Sequence, residues 1–249
     1  MTKKVWIIVA VLCAALLGGL VWISRSAQVD VASIDINATQ KASSANGNIG
    51  DHTFGNMQSK VILIEYGDFQ CPGCGTAAPI MKEVTEKYKD KLGFIFRNFP
   101  LYSAHPNAFA AASAAEAAGL AGKYWEMHDY LYANQSSWNQ LNGQERTDFF
   151  VTAATQLGAN GQTFTTNLTD PNVKKKIDFD AALGKKAGVS GTPSLYLNGE
   201  NASDKYYLDG KLVSSTTSGA QTVWSNADAF STLIIEPALK ANGIDISSN

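Results

Sequence analysis

The sequence predicts an α/β protein in which a βαβ unit (51–106) and a ββα unit (189–249) flank a helical insertion (107–188), preceded by one N-terminal transmembrane helix. Three observations predict this arrangement. Apolar runs typical of strands occur in both flanking units, the region between them is almost wholly helical in pattern, and an uncharged apolar segment lies near the start of the chain.

The composition is that of a globular protein with one large or two small domains. Of its 249 residues, 45% are hydrophobic and 17% are charged, which excludes a mainly disordered chain. The 20 Lys and Arg residues are outnumbered by 22 Asp and Glu residues, so no basic footprint for nucleic acid is expected. With only three cysteines, the chain is not a disulfide-dense scaffold.

The N-terminal segment is predicted to anchor the chain in a membrane. Residues 5–23 carry no charged or strongly polar side chain and nearly suffice to cross a hydrocarbon core of about 30 Å. Two lysines precede this segment and a single arginine follows it closely, so the positive-inside rule places the remaining chain outside the cytoplasm. A cleaved signal peptide is the alternative. The predicted parts are a cytoplasmic stub with the anchor (1–24) and a flexible linker (25–50).

The first flanking unit is predicted from its apolar runs. Residues 61–66 are almost continuously apolar, as expected for a parallel strand buried on both faces. A helix from about 72 to 88 follows a short turn, and residues 94–97 form the next strand. These three elements form a βαβ unit with a right-handed crossover.

The second flanking unit is predicted to end the globular part. Residues 194–197 and 206–208 are expected to form a final pair of strands. A closing helix at about 227–241 has Ser225 or Asn226 as its cap.

The redox chemistry is predicted to reside in the motif Cys-Pro-Gly-Cys, where the first strand turns into the first helix. Cys71 would lie at the helix start, where unpaired N–H groups and the positive end of the dipole stabilise a thiolate. Cys74 would lie one turn further, close enough to form a disulfide with it. Pro72 suits the first helical turn, because its missing N–H has no partner there. A disulfide that closes so short a loop adds little stability, so the pair indicates redox chemistry.

Two other interpretations of the cysteine pair compete with the redox one. A zinc or copper site would need two further ligands, and the sequence has neither a second cysteine pair nor suitably spaced histidines. An inert surface disulfide is the other alternative. We therefore expect no metal and no cofactor.

Two further features surround the motif. Glu65, at the end of the first apolar strand, would point beneath the cysteines, where burial would raise its pKa. It could then move the proton of Cys74 directly or through water. Thr192 and Pro193 precede a strand, and a cis bond between them would free backbone groups of Thr192 to pair with an extended substrate. The ordinary alternatives are a strand-end glutamate and a trans proline.

Together these residues resemble the thioredoxin superfamily and, more narrowly, the DsbA-like thiol–disulfide oxidoreductases. The resemblance covers about residues 51–245 and includes the segments FRNFPL at 96–101 and YWEMHD at 124–129. It implies a thioredoxin fold with a helical domain inserted between its two halves. One departure is Gly73, because strongly oxidising members often carry a histidine between the cysteines. By resemblance, the site consists of the attacking cysteine Cys71, its buried partner Cys74, the buried acid Glu65, the cis-proline Pro193, and substrate contacts from Thr192, Pro72 and Gly73.

The resemblance implies an extracytoplasmic enzyme that introduces disulfide bonds into exported proteins through a Cys71–Cys74 redox pair. Its expected location is the periplasmic or cell-wall side of the membrane, with a cleaved, secreted form as an alternative. Its expected partners are exported proteins with free cysteines and a DsbB-like or VKOR-like, quinone-linked membrane protein that reoxidises it. A reductase or isomerase of the same fold is one alternative function. A redox-inactive module that binds extended peptides is the other.

Overall fold

The computed structural model describes residues 29–247 and, before them, Trp6, Leu12 and Cys13. The predicted transmembrane segment, 5–23, therefore lies almost wholly outside the described residues. Within the described part of the chain, no helix has both the length and the apolar character needed to span a membrane.

A mixed five-stranded sheet lies at the centre of the fold. Its spatial order is β1-β3-β2-β4-β5. The two central strands, β2 and β3, are parallel, and the other neighbours are antiparallel. β1 was not predicted, because its sequence HTFG is short and lacks an apolar run. The strands are β1 (His52–Gly55), β2 (Ile62–Gly67), β3 (Gly93–Asn98), β4 (Ser194–Leu197) and β5 (Glu200–Asn201).

Helices join and flank these strands. The first connects β2 to β3, six form the insertion, and the last two are joined by a π-helical segment at Ser231–Ile235. They are α1 (Pro72–Lys87), α2 (Ala108–Gly119), α3 (Tyr124–Ala133), α4 (Gln135–Trp138), α5 (Gly143–Gln156), α6 (Gly161–Asn167), α7 (Pro171–Lys186), α8 (Ala227–Phe230) and α9 (Glu236–Ala241).

The expected pairing of strands 194–197 and 206–208 is wrong. β4 instead pairs with β2 and, through a tight hairpin, with β5. Asn198 and Gly199 form that hairpin with φ of 50° and 84°, the left-handed conformation that two-residue hairpins favour. The chain thus reverses at once, and the later strand is free to join a second sheet. That sheet has the order β7-β6-β8 and consists of β6 (Tyr206–Leu208), β7 (Lys211–Val213) and β8 (Gln221–Thr222).

The described part of the predicted flexible linker, 29–50, lies against the globular domain. Arg97 on β3 donates hydrogen bonds to the carbonyl oxygens of Ile36 and Ala38, at 2.6 and 2.8 Å. Lys186 donates to three more carbonyl oxygens near the start of the segment. The polar composition predicted a flexible linker. In the structure, the buried Arg97 and the exposed Lys186 bind backbone carbonyl oxygens of this segment. Every residue has such a carbonyl, so no pattern in the sequence could indicate these contacts.

Two apolar cores lie on opposite faces of the central sheet. Side chains alternate along the strands, so Leu63 and Phe96 belong to one core and Ile64 and Ile95 to the other. By the same alternation, Glu65 points towards the first core, which contains α1 and much of the helical insertion. A carboxyl group is thereby placed in an apolar layer beneath the start of α1.

Candidate active site

The two cysteines lie at the start of α1, one helical turn apart. Cys71 is the N-cap residue, with an extended backbone at φ −68° and ψ 124°, and Pro72 is the first residue of the helix. The carbonyl oxygen of Cys71 accepts a hydrogen bond from the N–H of Gly75 at 3.0 Å. Cys71 is 8% exposed and Cys74 is fully buried. Both thiols are free, so the structure represents the dithiol form.

Cys71 is stabilised as a thiolate. A hydrogen bond from the Cys74 thiol lowers the pKa of Cys71 to about 5, against the opposing effect of burial. Thr192 and the backbone N–H groups of Gly73 and Cys74 lower this pKa further. A helix start supplies such unpaired N–H groups. At neutral pH the outer sulfur is therefore a nucleophile and a good leaving group.

Cys74 has the opposite character. Burial raises its pKa well above the ordinary value, and hydrogen bonding to Cys71 and the charge of Glu65 raise it further. The N–H of Asp68, 3.5 Å from the sulfur, opposes this only weakly. Cys74 is thus a thiol in the reduced protein and must lose a proton before it can attack a mixed disulfide at Cys71.

Glu65 is a buried carboxyl group near that proton. It lies on β2, and burial raises its pKa to about 8. Among the residues that the structure describes, its Oε1 atom has no hydrogen-bond partner. The group is therefore mostly neutral at pH 7 and can exchange a proton near neutral pH, as general acid–base groups do.

The loop before β4 closes the site from the other side. The Thr192–Pro193 peptide bond is cis. Cys71 Sγ lies 3.3 Å from the carbonyl oxygen of Thr192, to which its thiol form donates. A Cβ atom at Gly73 would lie 3.3 Å from Cδ of Pro193, so glycine permits the close approach of this loop to the motif. The structure thus brings together the residues that the sequence grouped as one site.

Two sets of contacts that the sequence analysis missed hold the active-site turn, and the first of them comes from the helical insertion. Gln135 Nε2 donates to the carbonyl oxygens of Phe69 and Cys71, at 2.8 and 2.9 Å. The buried Asp68 carboxylate accepts from the N–H of Leu101 and lies 2.7 Å from a ring nitrogen of His105. The acidic residue between the first apolar strand and the first cysteine was the available signal for Asp68. For Gln135 there was none, because its partners are backbone atoms 64 and 66 residues away.

His128 is a further residue of interest that was not assigned a role. It lies on α3, and with Glu65 it lines a cavity between α1, α3 and the central sheet. The only signal for His128 in the sequence was its position in the segment YWEMHD, which belongs to the DsbA-like resemblance. No group of three or more metal-ligating side chains occurs among the residues described.

Comparison with known families and curated proteins identifies the domain. A family model described as thioredoxin matches residues 47–210. The Na⁺/H⁺ antiporter NhaA 1 of Salinispora arenicola is 34% identical over 172 residues, which cover 69% of this chain and 25% of the antiporter. NhaA 1 of Mycolicibacterium vanbaalenii is 35% identical over 149 residues, covering 60% and 23%. The chain therefore spans about a quarter of the length of these curated relatives.

Solved structures with the same fold include BdbD from Bacillus subtilis, with 20% identity, a TM-score of 0.58 and coverage of 82% of this chain and 98% of that one. The structure of α-DsbA1 from Wolbachia pipientis has 23% identity and a TM-score of 0.58, and the match covers 77% of this chain and 92% of that one. The structure of MdbA, a thiol-disulfide oxidoreductase from Corynebacterium diphtheriae, has 18% identity and a TM-score of 0.54, and the match covers 66% of this chain and 87% of that one. The DsbA-like resemblance is thus confirmed at the level of the fold, and with its family match the chain belongs to the thioredoxin family.

Proposed function

We propose that this protein is a thiol–disulfide oxidoreductase whose main role is to introduce disulfide bonds into exported proteins. The observation that carries the proposal is the opposite character of two sulfur atoms one turn apart. The pKa of Cys71 is lowered to about 5, whereas that of Cys74 is raised. A stabilised thiolate favours the reduced form of the enzyme, and a disulfide whose reduced form is favoured is a strong oxidant.

The proposed reaction transfers two electrons from the substrate to the enzyme. A substrate thiolate attacks Sγ of Cys71 in the disulfide form, the bond between the two enzyme sulfurs breaks, and Cys74 leaves with its electron pair. Glu65 gives its proton to Cys74. A second substrate thiolate then attacks the substrate sulfur of the mixed disulfide, and Cys71 leaves as a thiolate. The substrate is now a disulfide and the enzyme a dithiol.

The cis-proline loop supports the binding of an extended substrate. Thr192 brings its backbone next to Cys71, and β4 begins two residues later at Ser194. A peptide that pairs with Thr192 would present its cysteine to Sγ of Cys71, in the manner of an added strand. Pro72 is exposed beside this approach, and Gly73 keeps it free of a side chain.

The N-terminal segment and the reaction cycle support the proposed location and partners. The apolar segment 5–23 supports a membrane anchor, with the catalytic domain on the periplasmic or cell-wall side. Each cycle leaves a dithiol, so a reoxidant is required, and the DsbA-like resemblance favours a DsbB-like or VKOR-like, quinone-linked membrane protein. Alkaline phosphatase fused to the C-terminus tests the orientation, because this reporter should be active only if the C-terminus is outside. Ion antiport is not proposed, because the match covers about a quarter of each antiporter.

The decisive experiment equilibrates the full chain with glutathione redox buffers. We expect a reduction potential near about −120 mV, that of a strong oxidant. A value near about −270 mV would instead support a reductase. Absence of any redox transition would leave only the peptide-binding module. In parallel, thiolate absorbance at 240 nm should titrate with a midpoint near pH 5 in the reduced protein, and Cys71→Ser should abolish this titration.

A further inference from the structure

The start of the described N-terminal segment (29–50) is fixed to one place on the globular domain, at the C-terminal end of α7. The ammonium group of Lys186 donates hydrogen bonds at 2.7–3.0 Å to three backbone carbonyl oxygens, those of Val31, Ala32 and Ile34. The side chain of Val31 is 9% exposed and packs in the same apolar core as Leu183 of α7. Both the backbone and a side chain therefore hold this part of the segment against the helix.

A groove of about 680 Å³ opens beside this attachment. One wall is the start of the N-terminal segment, from Val29 onwards, and the other is one face of α7. On that face Ala181 and Ala182 lie between Lys174 and Lys185. The groove thus has a short apolar stretch with a lysine on either side of it.

The groove also carries an exposed aromatic ring. Tyr102 lines it and is 55% exposed, against 48% for Leu212 and 47% for Leu120, the other exposed large apolar side chains of the domain. Three lysines and two aspartates line the groove, so its formal charge is +1, in a chain whose formal net charge is −2. An aromatic ring beside lysines is the combination that suits the headgroup layer of a membrane.

The proposed membrane anchor ends close to this groove. Residues 24–28 separate the apolar segment 5–23 from Val29, and a chain of that length spans at most about 20 Å. A globular domain of about 200 residues has a radius of gyration of about 17 Å and is about 40 Å across. Because Val29 lies in the lining of the groove, the groove must be on the side of the domain that faces the membrane.

We propose that this groove binds lipid headgroups at the non-cytoplasmic surface of the membrane in which the chain is anchored. The proposal rests on the proposed function, in particular on its membrane anchor, and adds an orientation of the domain to it. Tyr102 enters the interfacial layer, where amphipathic rings are favoured. Lys174 and Lys185 contact anionic headgroups, which attract basic residues close to the membrane surface.

This orientation brings the active-site turn close to the membrane. The N–H of Leu101 donates to the Asp68 carboxylate at 2.8 Å, and Asp68 lies three residues before Cys71. Burial raises the pKa of Tyr102 to about 12, and the charges of Asp178 and Asp68 raise it further. The Tyr102 hydroxyl is therefore near both the groove and the active-site turn. A reoxidant within the membrane would meet the cysteines at this surface.

The test is photocrosslinking of the full chain in vesicles of phosphatidylcholine and radiolabelled phosphatidylglycerol. Photoreactive benzoylphenylalanine replaces Tyr102, Leu120 or Leu212 in three separate variants. The two leucines are the matched controls, because they are comparably exposed but lie at the end of α2 and on β7. We expect at least about fivefold more lipid adduct at position 102 than at either control position.

Two further changes separate the short tether from the surface charge. A flexible Gly-Ser stretch of about twenty residues, inserted between residues 28 and 29, removes the distance limit and should lower the adduct at position 102 severalfold. In that background, Lys185→Gln should lower it about fivefold more, because one basic residue near an anionic surface contributes an attraction of this size. Lys211→Gln removes an exposed lysine next to Leu212 and should change nothing.

The outcomes separate this proposal from the proposed function. Equal adducts at the three positions, with the C-terminal alkaline phosphatase fusion active, would overturn the orientation and leave the proposed function in place. An adduct at position 102 that neither the insertion nor Lys185→Gln changes would overturn it too. So would a crosslink from this position to a second copy of the chain in place of lipid. An inactive fusion would remove the proposed location and the orientation together. The equilibrium with glutathione needs no membrane, so a failure of the oxidoreductase proposal is recognised separately.

Discussion

Glu65 and Arg97 are buried polar groups at neighbouring positions of two paired strands, and their surroundings are opposite. In the register of β2 and β3, Tyr66 lies beside Arg97, so Glu65 is one residue away on the other face of the sheet. Arg97 is fully buried and donates to Asp51, Tyr66 and two backbone carbonyls. Glu65 makes no hydrogen bond to any described residue through Oε1. Arg97 is therefore held in its charged state, whereas Glu65 is free to gain or lose a proton.

The paired region forms a network of buried ions. The Asp51 carboxylate contacts Arg97 at 2.8 Å and Lys176 at 3.3 Å, and Lys176 contacts Asp180 at 2.6 Å. Burial alone would raise the pKa of Asp51, yet Lys176 and Arg97 hold it below its ordinary value. Burial alone would lower the pKa of Lys176, yet Asp180 and Asp51 raise it. Asp51 and Lys176 thus stay ionised in the core, whereas Glu65, which has no such partner among the described residues, is mostly neutral at pH 7.

The largest expected effect on the free energy of unfolding comes from removing one charge from the network of buried ions. Arg97→Met keeps much of the side-chain volume but leaves the Asp51 carboxylate with one partner fewer and frees the carbonyls of residues 36 and 38. Removing one member of a buried ion pair costs about 3–5 kcal/mol. Urea unfolding of the oxidised protein at pH 7 should show a loss of this size in the free energy of unfolding.

The active site supplies the control for this prediction. The hydrogen bonds that lower the pKa of Cys71 come from Cys74, Thr192 and Gly73, none of which belongs to the network. In Arg97→Met the thiolate titration should therefore keep its midpoint near pH 5. A loss of stability below about 1 kcal/mol would mean that the network is worth no more than a surface ion pair.

The two regions also differ in how far the sequence could predict them. The site depends on local signals: an apolar run ending at Glu65, a proline at the first helical position, and two cysteines one turn apart. The predicted helix at 72–88 is observed at Pro72–Lys87. Likewise, Asn226 caps the closing helix by accepting a hydrogen bond from the N–H of Ala229 at 2.9 Å. Signals of this kind depend on neighbours within a few residues.

The ion network carries no such signal, because its members are far apart in the chain. Asp51 is 46 residues from Arg97 and 125 residues from Lys176. A run of three lysines such as 174–176 is typical of a solvated helix face, yet its third member is fully buried. Three consecutive helical residues point in different directions, so one of them can face the core. Only the packing of α7 on the sheet decides which.

The second largest effect should come from removing the unpaired carboxyl. The pKa of Glu65 is about 8 in the folded protein, against an ordinary value of 4.5. The folded state therefore binds a proton that the unfolded state has lost, and its stability falls as pH rises from 4.5 towards 8. Between pH 5 and pH 7 this loss amounts to about 2–3 kcal/mol. Glu65→Gln cannot ionise at this position. The free energy of unfolding of the variant, relative to the wild type, should therefore rise by that amount between pH 5 and pH 7.

This difference is measured by urea unfolding of the oxidised proteins at both pH values, because the disulfide prevents the cysteines from titrating. Glu126→Gln is the matched control: it removes an exposed carboxyl from the lining of the same cavity, and its effect should stay below about 0.5 kcal/mol. A Glu65→Gln difference that does not change with pH would show that Glu65 is ionised or paired in the folded protein.

The smallest effect should come from an ion pair that resembles the network in chemistry but not in burial. Lys82 and Asp129 form a salt bridge at the cavity, with side chains 59% and 36% exposed. Water already solvates both groups well, so Lys82→Met should cost no more than about 1 kcal/mol. Added salt should reduce this cost further, because exposed charges are screened. Urea unfolding at 0.05 and 1 M salt (about a twentyfold range) measures both effects. A cost as large as that of Arg97→Met would mean that this pair is desolvated in solution, and burial would no longer distinguish the Arg97–Asp51 pair from the Lys82–Asp129 pair.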